Sequence, residues 1–419
     1  MAKVLVDVRP LRESPQFRLL YAGQVVSSIG SQVTVVAAPY QVYLLTRSSL
    51  MVGLLGLVAV VPLIAGSLIG GAFADAYDRR KVLLVAQVLV GATSLGLALN
   101  AMLTHPRVWL IFVLTALQAA FFGLDRPTRS AATPALVRPA DLPAALALNQ
   151  LLLQLSIVVG PALGGLLIAK ISVASAFWVD TLSFLTAIAA LVAMRPMRPE
   201  GGGTRASASS IVEGIRFLKG RQALQGSFLI DINAMVFGMP RALFPALGTT
   251  VFGGGAAAVG LLYAAPGAGA IVGALTSGWV SRVDRQGRAT IMAVIAWGGA
   301  IALFGLTTSL PLALFFLALA GAADVISAVF RNTILQLSVP DRLRGRLSSV
   351  HIAVVTGGPR VGDAEAGIVA GLTTPTFSVV SGGVACIVGA VLIGRSMPRL
   401  TNWRLSTHEA DPDGEVPVV

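Results

Sequence analysis

Long stretches without a single charged side chain alternate along this chain with short, strongly basic ones. The uncharged runs 19–46, 48–74, 82–104, 142–169 and 366–394 are each long enough to cross a bilayer core of ~30 Å as a helix. The run 242–281 can hold most of two more. The pattern predicts twelve membrane-spanning helices, at 17–45, 50–74, 81–103, 108–128, 143–169, 174–194, 222–248, 257–280, 289–308, 311–337, 347–372 and 375–396, numbered here in that order. The first apolar stretch is twice as long as the apolar core of a signal peptide and runs straight into another span, so a retained first helix is expected.

Composition agrees with an all-α membrane protein. Of 419 residues, 55% are hydrophobic and only 12% charged, with a mean hydropathy of +0.81, too apolar for a chain whose solvent is water. A net charge of +12 would suggest a nucleic-acid partner in a soluble protein. Placement decides against nucleic acid. All but five of the 31 lysines and arginines fall in alternate loops or at their helix ends, the exceptions being Arg47, Arg107, Lys170, Arg241 and Arg360. The positive-inside rule makes that side cytoplasmic. The expected protein is a multi-pass chain of the cytoplasmic membrane with both termini in the cytoplasm. The single cysteine, Cys386, excludes an internal disulfide and sits in an apolar run, where it packs as a small core residue.

The longest polar interruption, 195–221, holds Pro196, Pro199, Gly201 to Gly203 and a serine tract, and reads as a flexible cytoplasmic linker with a short surface helix at 211–219. It separates a six-helix bundle at 1–194 from a second at 222–400. The tail 401–419, with four acidic residues and two prolines, is expected to be disordered. The two bundles repeat each other. Asp78-Arg79 aligns with Asp284-Arg285 at an offset of 206, Arg129 with Arg331 at 202, and Gly160-Pro161 with Gly358-Pro359 at 198. A parallel repeat of six helices is a hallmark of secondary transporters.

Between helices 2 and 3 the chain reads Gly70-Gly71-Ala72-Phe73-Ala74-Asp75-Ala76-Tyr77-Asp78-Arg79-Arg80. This resembles the loop signature of the major facilitator superfamily, with Gly71, Asp75, Arg79 and Arg80 in register and with Ala76 and Asp78 departing from it. Helix 5 carries Gly160-Pro161-Ala162-Leu163-Gly164-Gly165, similar to the element that marks helix 5 in major facilitator antiporters. The segments 122–139, 177–184 and 362–367 look like the branch of that superfamily containing the enterobactin exporter and related macrolide and multidrug exporters. The resemblance implies two pseudo-symmetric six-helix bundles and export. It also implies a gating cluster in which Asp75, Asp78, Arg79 and Arg80 join Asp125 and Arg129 at the cytoplasmic end of helix 4. The plainer reading of the loop is a tight turn with solvated basic residues, and of the helix 5 element a packing kink. The Gly267-x-Gly269-x-x-x-Gly273 string is helix packing, since no strand precedes it to make a dinucleotide-binding turn.

Charges inside spans point most directly to function, because each costs ~2.5–3.5 kcal/mol to insert and so faces a partner or a polar cavity. Asp180, Asp231, Asp324, Arg331, Arg360, Asp363 and Glu365 fall in this class. Asp324 and Arg331, seven apart, share a helix face. Arg360 and Asp363 have the spacing of an ion pair, while Glu365 points elsewhere. Asp231, Asp363, Glu365 and Asp324 are therefore the proton-coupling candidates, against the alternative of structural salt bridges. Helices 1, 4, 7 and 10 line the central cavity in the family, and matching faces would contribute Gln24, Ser28, Gln32, Gln118, Phe122 and Asn233 beside Arg331 and Arg360. Interhelical hydrogen bonding is the competing explanation for the polar members. The expectation is a secondary exporter of small amphipathic molecules, siderophore-like or drug-like, working by alternating access and proton antiport. Its partners would be a small-molecule substrate, protons and the lipid bilayer, with no nucleic acid, and it would be a monomer. A non-transporting sensor or scaffold on the same fold is the alternative. An enzyme is disfavoured, since His105, His351 and His408 stand isolated, one cysteine is present, and no metal-ligand spacing or cofactor motif occurs.

Overall fold

Serine, threonine or aspartate side chains open five of the long helices. In the computed structural model Ser14, Ser48, Asp78, Ser172 and Thr374 each accept a hydrogen bond from a first-turn amide of the helix they cap, which satisfies donors that would otherwise be orphaned. The structure describes residues 7–198, 217–218, 220–339 and 341–406. The helices are α1 (Pro15–Thr46), α2 (Ser49–Val58 and Val60–Ala76), α3 (Arg79–Met102), α4 (Val108–Leu136), α5 (Leu142–Lys170) and α6 (Val173–Ala193), then α7 (Gln222–Phe237, resuming as Phe244–Thr250), α8 (Gly255–Leu275), α9 (Gln286–Leu306), α10 (Leu310–Leu337), α11 (Asp341–Leu372) and α12 (Pro375–Ser396). No strand occurs among the described residues.

Eleven of these stretches are long and apolar enough to cross a membrane. The twelfth, α11, has the length at 32 residues, but Arg360, Asp363 and Glu365 make it the least apolar. Helix boundaries depart from expectation where proline acts. α4 runs two turns beyond 128, through Pro127 and Pro134, to Leu136. α7, expected to be continuous over 222–248, breaks after Phe237. Pro240 lacks an amide donor, a 3₁₀ turn spans Arg241–Leu243, and the stranded Gly238 carbonyl is taken up by the Trp297 Nε1–H at 2.9 Å. α8 ends at Leu275 and is followed by a 3₁₀ turn, Ser277–Arg282, rather than reaching 280 as helix.

The chain divides into two compact units. The first comprises 1–51, 55–206 and 253–264, the second 52–54, 207–252 and 265–419. In the first, α1 packs on α5 and α6, α3 on α4 and α6, and α2 on α4. In the second, α7 packs on α11 and α12, and α9 on α10 and α12. Each of these four pairings in the second unit is one from the first with six added to each helix number, the structural form of the repeat read from the offsets.

Small residues make these approaches possible. A Cβ on Gly70 would lie 2.7 Å from the Leu124 Cα, and one on Gly123 2.7 Å from the Ser67 amide. Gly71, in register with the loop motif, has open space around it. Gly66 and Gly70, one turn apart, face α4, whereas Gly71 is turned ~100° away. In the second unit Gly269 and Gly273 meet Ala318 and Ala322 of α10, the packing role expected of that glycine string.

Two segments expected to be loose begin as ordered chain. After α6, Met197 is buried with Leu20, Leu83, Leu191 and Met194. After α12, Trp403 is buried against Ile334 and Leu400, because the indole finds both an apolar seat and, at Nε1, the Ser338 hydroxyl at 3.2 Å. Expected disorder at 401–406 is thereby corrected. Residues 199–216 and 219 of the linker, with nearly all of the short helix at 211–219, and 407–419 of the tail lie outside the described residues.

Candidate functional site

In the second unit, α7 brings Asp231 to within ion-pair reach of Arg331 on α10. Both are nearly removed from solvent, with side-chain exposures of 2% and 5%. Arg331 has a second carboxylate, Asp324, one face down its own helix at 4.0 Å and 31% exposed. On α11 the His351 Nδ1 stands 4.0 Å from the other Asp231 oxygen, and its ring meets Phe228 edge-on at 6.2 Å. Ser227, Asn332 and Leu335 complete the lining of a small cleft here. One guanidinium thus serves two carboxylates, with an imidazole beside the better-paired one. His351 escaped sequence reasoning because no residue near it in the chain suggests a partner. The spacing of Asp324 and Arg331 was the only local signal.

Asn233 does not belong to this cleft. Two residues on from Asp231, it is turned ~200° around α7 and donates from Nδ2 to the Cys386 carbonyl at 2.8 Å. It was expected in a cavity, and it ties α7 to α12 instead. A second polar group lies at the break in α7. There the Ala242 amide donates to the Asp363 carboxylate at 2.9 Å, with the Arg241 and Arg360 charges close by. Glu365 is half-buried and makes no hydrogen bond or ion pair with a described residue, as its position on the helix away from Asp363 predicts.

In the first unit, Asp125 and Arg129 on α4 form a bidentate pair at 2.8 and 2.9 Å, and Gln87 of α3 donates a third bond to Asp125 at 2.8 Å. The loop charges do not join it. Arg79 donates to the carbonyls of Ala74 and Ala131, Arg80 to those of Leu191 and Val192, and Asp78 caps α3 while accepting the Met197 amide at 2.9 Å. Asp75 is exposed. The cluster implied by resemblance is corrected to this extent: Arg129, one turn along the same helix, pairs with Asp125, and the loop arginines bind backbone carbonyls, those of Ala74, Leu191 and Val192 near helix ends, where the backbone is most negative, and that of Ala131 within α4.

The helix 5 glycines all sit at close approaches. Gly160 meets Ile29 and Gln32, Gly164 meets Val33, and Gly165 meets Gly260 of α8, with Pro161 in the same stretch. Gln24, Ser28 and Gln32 are half-buried along α1. Gln118 is buried and donates to Ser94 at 2.9 Å, bridging α4 and α3. Phe122 packs with Ala59, Leu63 and Ala119. Asp180 on α6 is fully buried and accepts from Thr34 at 2.6 Å and Ser94 at 2.7 Å. Among the described residues no three His, Cys, Asp or Glu side chains are grouped to hold a metal ion.

Known proteins share this architecture and more. The model of the transmembrane secretion effector family matches residues 7–414. The enterobactin exporter EntS of Escherichia coli strain K12 is 30% identical over 400 residues, covering 96% of each chain, and so is EntS of Shigella boydii serotype 18. Among solved structures, a mutant of the nucleoside transporter NupG matches with a TM-score of 0.74 at 10% identity over 91% of this chain and 99% of that one. A mutant of the peptide transporter POT matches at 0.75 with 11% identity, over 93% and 95%. At such identities the structures show fold alone, but the family match and the exporter relatives run essentially end to end. The chain therefore belongs to the transmembrane secretion effector family and is a multi-pass membrane transporter with the major facilitator fold.

Proposed function

We propose that the protein exports small amphipathic molecules from the cytoplasm by alternating access, driven by protons moving the other way. Catecholate siderophores are the first substrate class to consider, because the relatives at 30% identity are enterobactin exporters. The observation that carries the coupling is Arg331 lying between Asp231 and Asp324. A single guanidinium can neutralise one buried carboxylate fully. The other must take a proton or meet water, and any shift of α10 against α7 that exchanges the two converts a conformational step into a proton step. His351 beside Asp231 offers a relay, since an imidazole can take up a proton at one ring nitrogen and release one from the other.

Asp363 and Glu365 remain candidates for the same role, the former held at the α7 break and the latter half-buried and without a hydrogen bond or ion pair to a described residue. Asp78, Arg79 and Arg80, through their bonds to backbone beyond the loop, and the separate Asp125–Arg129 pair are proposed to act together as a cytoplasmic latch, and Gln24, Ser28 and Gln32 as substrate contacts. The termini are placed in the cytoplasm by the distribution of basic residues, and the working unit is taken as a monomer.

The test is proton flux in vesicles reconstituted with the full chain and loaded in turn with enterobactin, a macrolide and a cationic dye. Wild type is compared with Asp231→Asn, Asp324→Asn, Asp363→Asn and Glu365→Gln. Substrate-dependent proton movement, abolished in the Asp231 or Asp324 variant, is the expected result. Transport without proton movement would remove the antiport mechanism. Absence of transport for every compound would favour a non-transporting role on the same fold.

A further inference from the structure

Among the described residues, Asp180 is the one carboxylate in the first unit's helices whose side-chain hydrogen bonds come from hydroxyl groups alone. It is 0% exposed. Thr34 of α1 and Ser94 of α3 both donate to Oδ2, Ser31, three residues before Thr34 on the same face, is a third hydroxyl beside it, and Oδ1 has no hydrogen-bond partner. Close packing seals the spot, since a Cβ on Gly30 of α1 would lie 3.2 Å from the Asp180 Cα. The titratable side chains on the helices packed against α6 stand away from it. Arg18 and Tyr21 lie near the start of α1, and Tyr40 and Tyr43 near its end. Arg79, Arg80 and Lys81 occupy the first turn of α3, and Lys170 the last residue of α5. None of them is paired with Asp180.

An ionised carboxylate taken out of water with no cation beside it is strongly disfavoured, so the group holds a cation of its own. Metal ions gather several oxygen ligands around themselves, but here both bonded hydroxyls spend their hydrogens on one oxygen and leave Oδ1 alone. That arrangement suits a proton. We infer that Asp180, Thr34 and Ser94 form a proton-binding site of the first unit, in which Oδ1 carries the proton and the two hydroxyls hold the Oδ2 carbonyl of the neutral acid.

The site is wired to the latch. Ser94 accepts from Gln118 of α4. Seven residues along each helix, Gln87 of α3 donates to Asp125 of α4, so α3 and α4 share two buried polar rungs about 10 Å apart. Movement of α4 that disturbs the Asp125 rung disturbs the rung holding Asp180. When such movement admits water, the proton passes from Oδ1 to water and the carboxylate left behind is solvated.

Infrared spectroscopy of the full chain in lipid, without substrate, tests this. At neutral pH the carbonyl band of a protonated carboxyl should be present, shift in D₂O, bleach at alkaline pH and vanish in Asp180→Asn, while Asp231→Asn leaves it in place. Ser94→Ala and Thr34→Val should each move the band to higher frequency, because each removes one hydrogen bond to Oδ2; these variants decide the matter if Asp180→Asn does not fold. An unchanged spectrum in Asp180→Asn, or in both hydroxyl variants, would overturn the site. A band that neither deuterates nor titrates would make the proton a trapped structural one and overturn it equally. Only the part this proton plays in turnover rests on the antiport reading. Vesicles without proton flux would sink that reading and leave the band intact, whereas a missing band with proton flux present would do the reverse.

Discussion

The two units share a helix-packing scheme and differ in how each keeps its buried charges. In the first unit Arg129 of α4 pairs within its own helix, with Asp125, and the hydrogen bonds to the deeply buried carboxyl of Asp180 come from hydroxyls. In the second, the arginine at the equivalent place, Arg331, reaches across to Asp231 on another helix and keeps Asp324 in range. An intrahelical pair moves as one body. A cross-helix ion pair changes when its helices slide, so the second unit's Asp231–Arg331 pair reports helix motion directly. The first unit's Asp125–Arg129 pair stays together, and hydrogen bonds from uncharged donors, Gln87 to Asp125 and Thr34 and Ser94 to Asp180, cross between helices there.

Removing one partner of each pair tests this contrast most severely. Arg331→Ala leaves Asp231 buried and uncompensated and should cost about 3–5 kcal/mol, read as a fall in thermal unfolding midpoint of the purified protein. Arg129→Ala should cost less, about 1–3 kcal/mol, because Gln87 still donates to Asp125. Equal losses would mean that crossing between helices is not what sets the second unit apart.

Packing supplies the next test. A Cβ on Gly321 would lie 2.8 Å from the Pro266 Cα of α8, whereas one on Gly71 meets nothing within 4 Å. Gly321→Ala should destabilise by about 1–3 kcal/mol through overpacking. Gly71→Ala should be neutral or slightly stabilising in the same melt, since alanine is the better helix former. A neutral Gly321→Ala would show that α8 and α10 can part without cost.

The smallest expected effect concerns the segments that follow each bundle. Met197 bonds to Asp78 in the first unit, and Ser406 to Asp284 in the second at 3.0 Å, a repeat of the turn as well as of the helices. Hydrogen bonds from Ser406, with Arg404 4.0 Å away, hold the Asp284 carboxyl below its ordinary value of 3.8. A depressed carboxyl contributes fully above its unfolded value and loses its contribution as pH falls through the folded one. Trp403 fluorescence should therefore stay native-like to below pH 4 and then report loosening of the tail. The change should be small and salt-sensitive, since Asp284 is exposed. Asp284→Asn should abolish the acid transition. A transition persisting in that variant would assign it to another group.

Much of this was legible in the chain. Uncharged runs located most of the helices within a few residues, since a bilayer imposes length and apolarity on each span whatever its neighbours are. The offsets located the repeat, because Asp-Arg and Gly-Pro pairs sit at turns and kinks whose backbone demands are local. Proline shifted boundaries in opposite senses, tolerated within α4 at 127 and 134 but breaking α7 at 240, where glycine stands two residues before it. Neither outcome is a local property. What lies beside such a proline decides, and for α7 that is Trp297, 59 residues beyond Gly238 in another helix.

The site divides along the same line. The sequence by itself determined which charges were costly, Asp180, Asp231, Asp324, Arg331, Asp363 and Glu365, because the expense of a charge in a membrane depends on the residue and its depth. Only tertiary structure decided their partners: Arg331 with Asp231 and His351, Asp125 with Gln87, Asp180 with Thr34 and Ser94, and Asn233 turned away to α12. Partnership depends on how helices far apart in the chain are rotated against each other. A helix's sequence defines its faces; packing alone decides what each face meets.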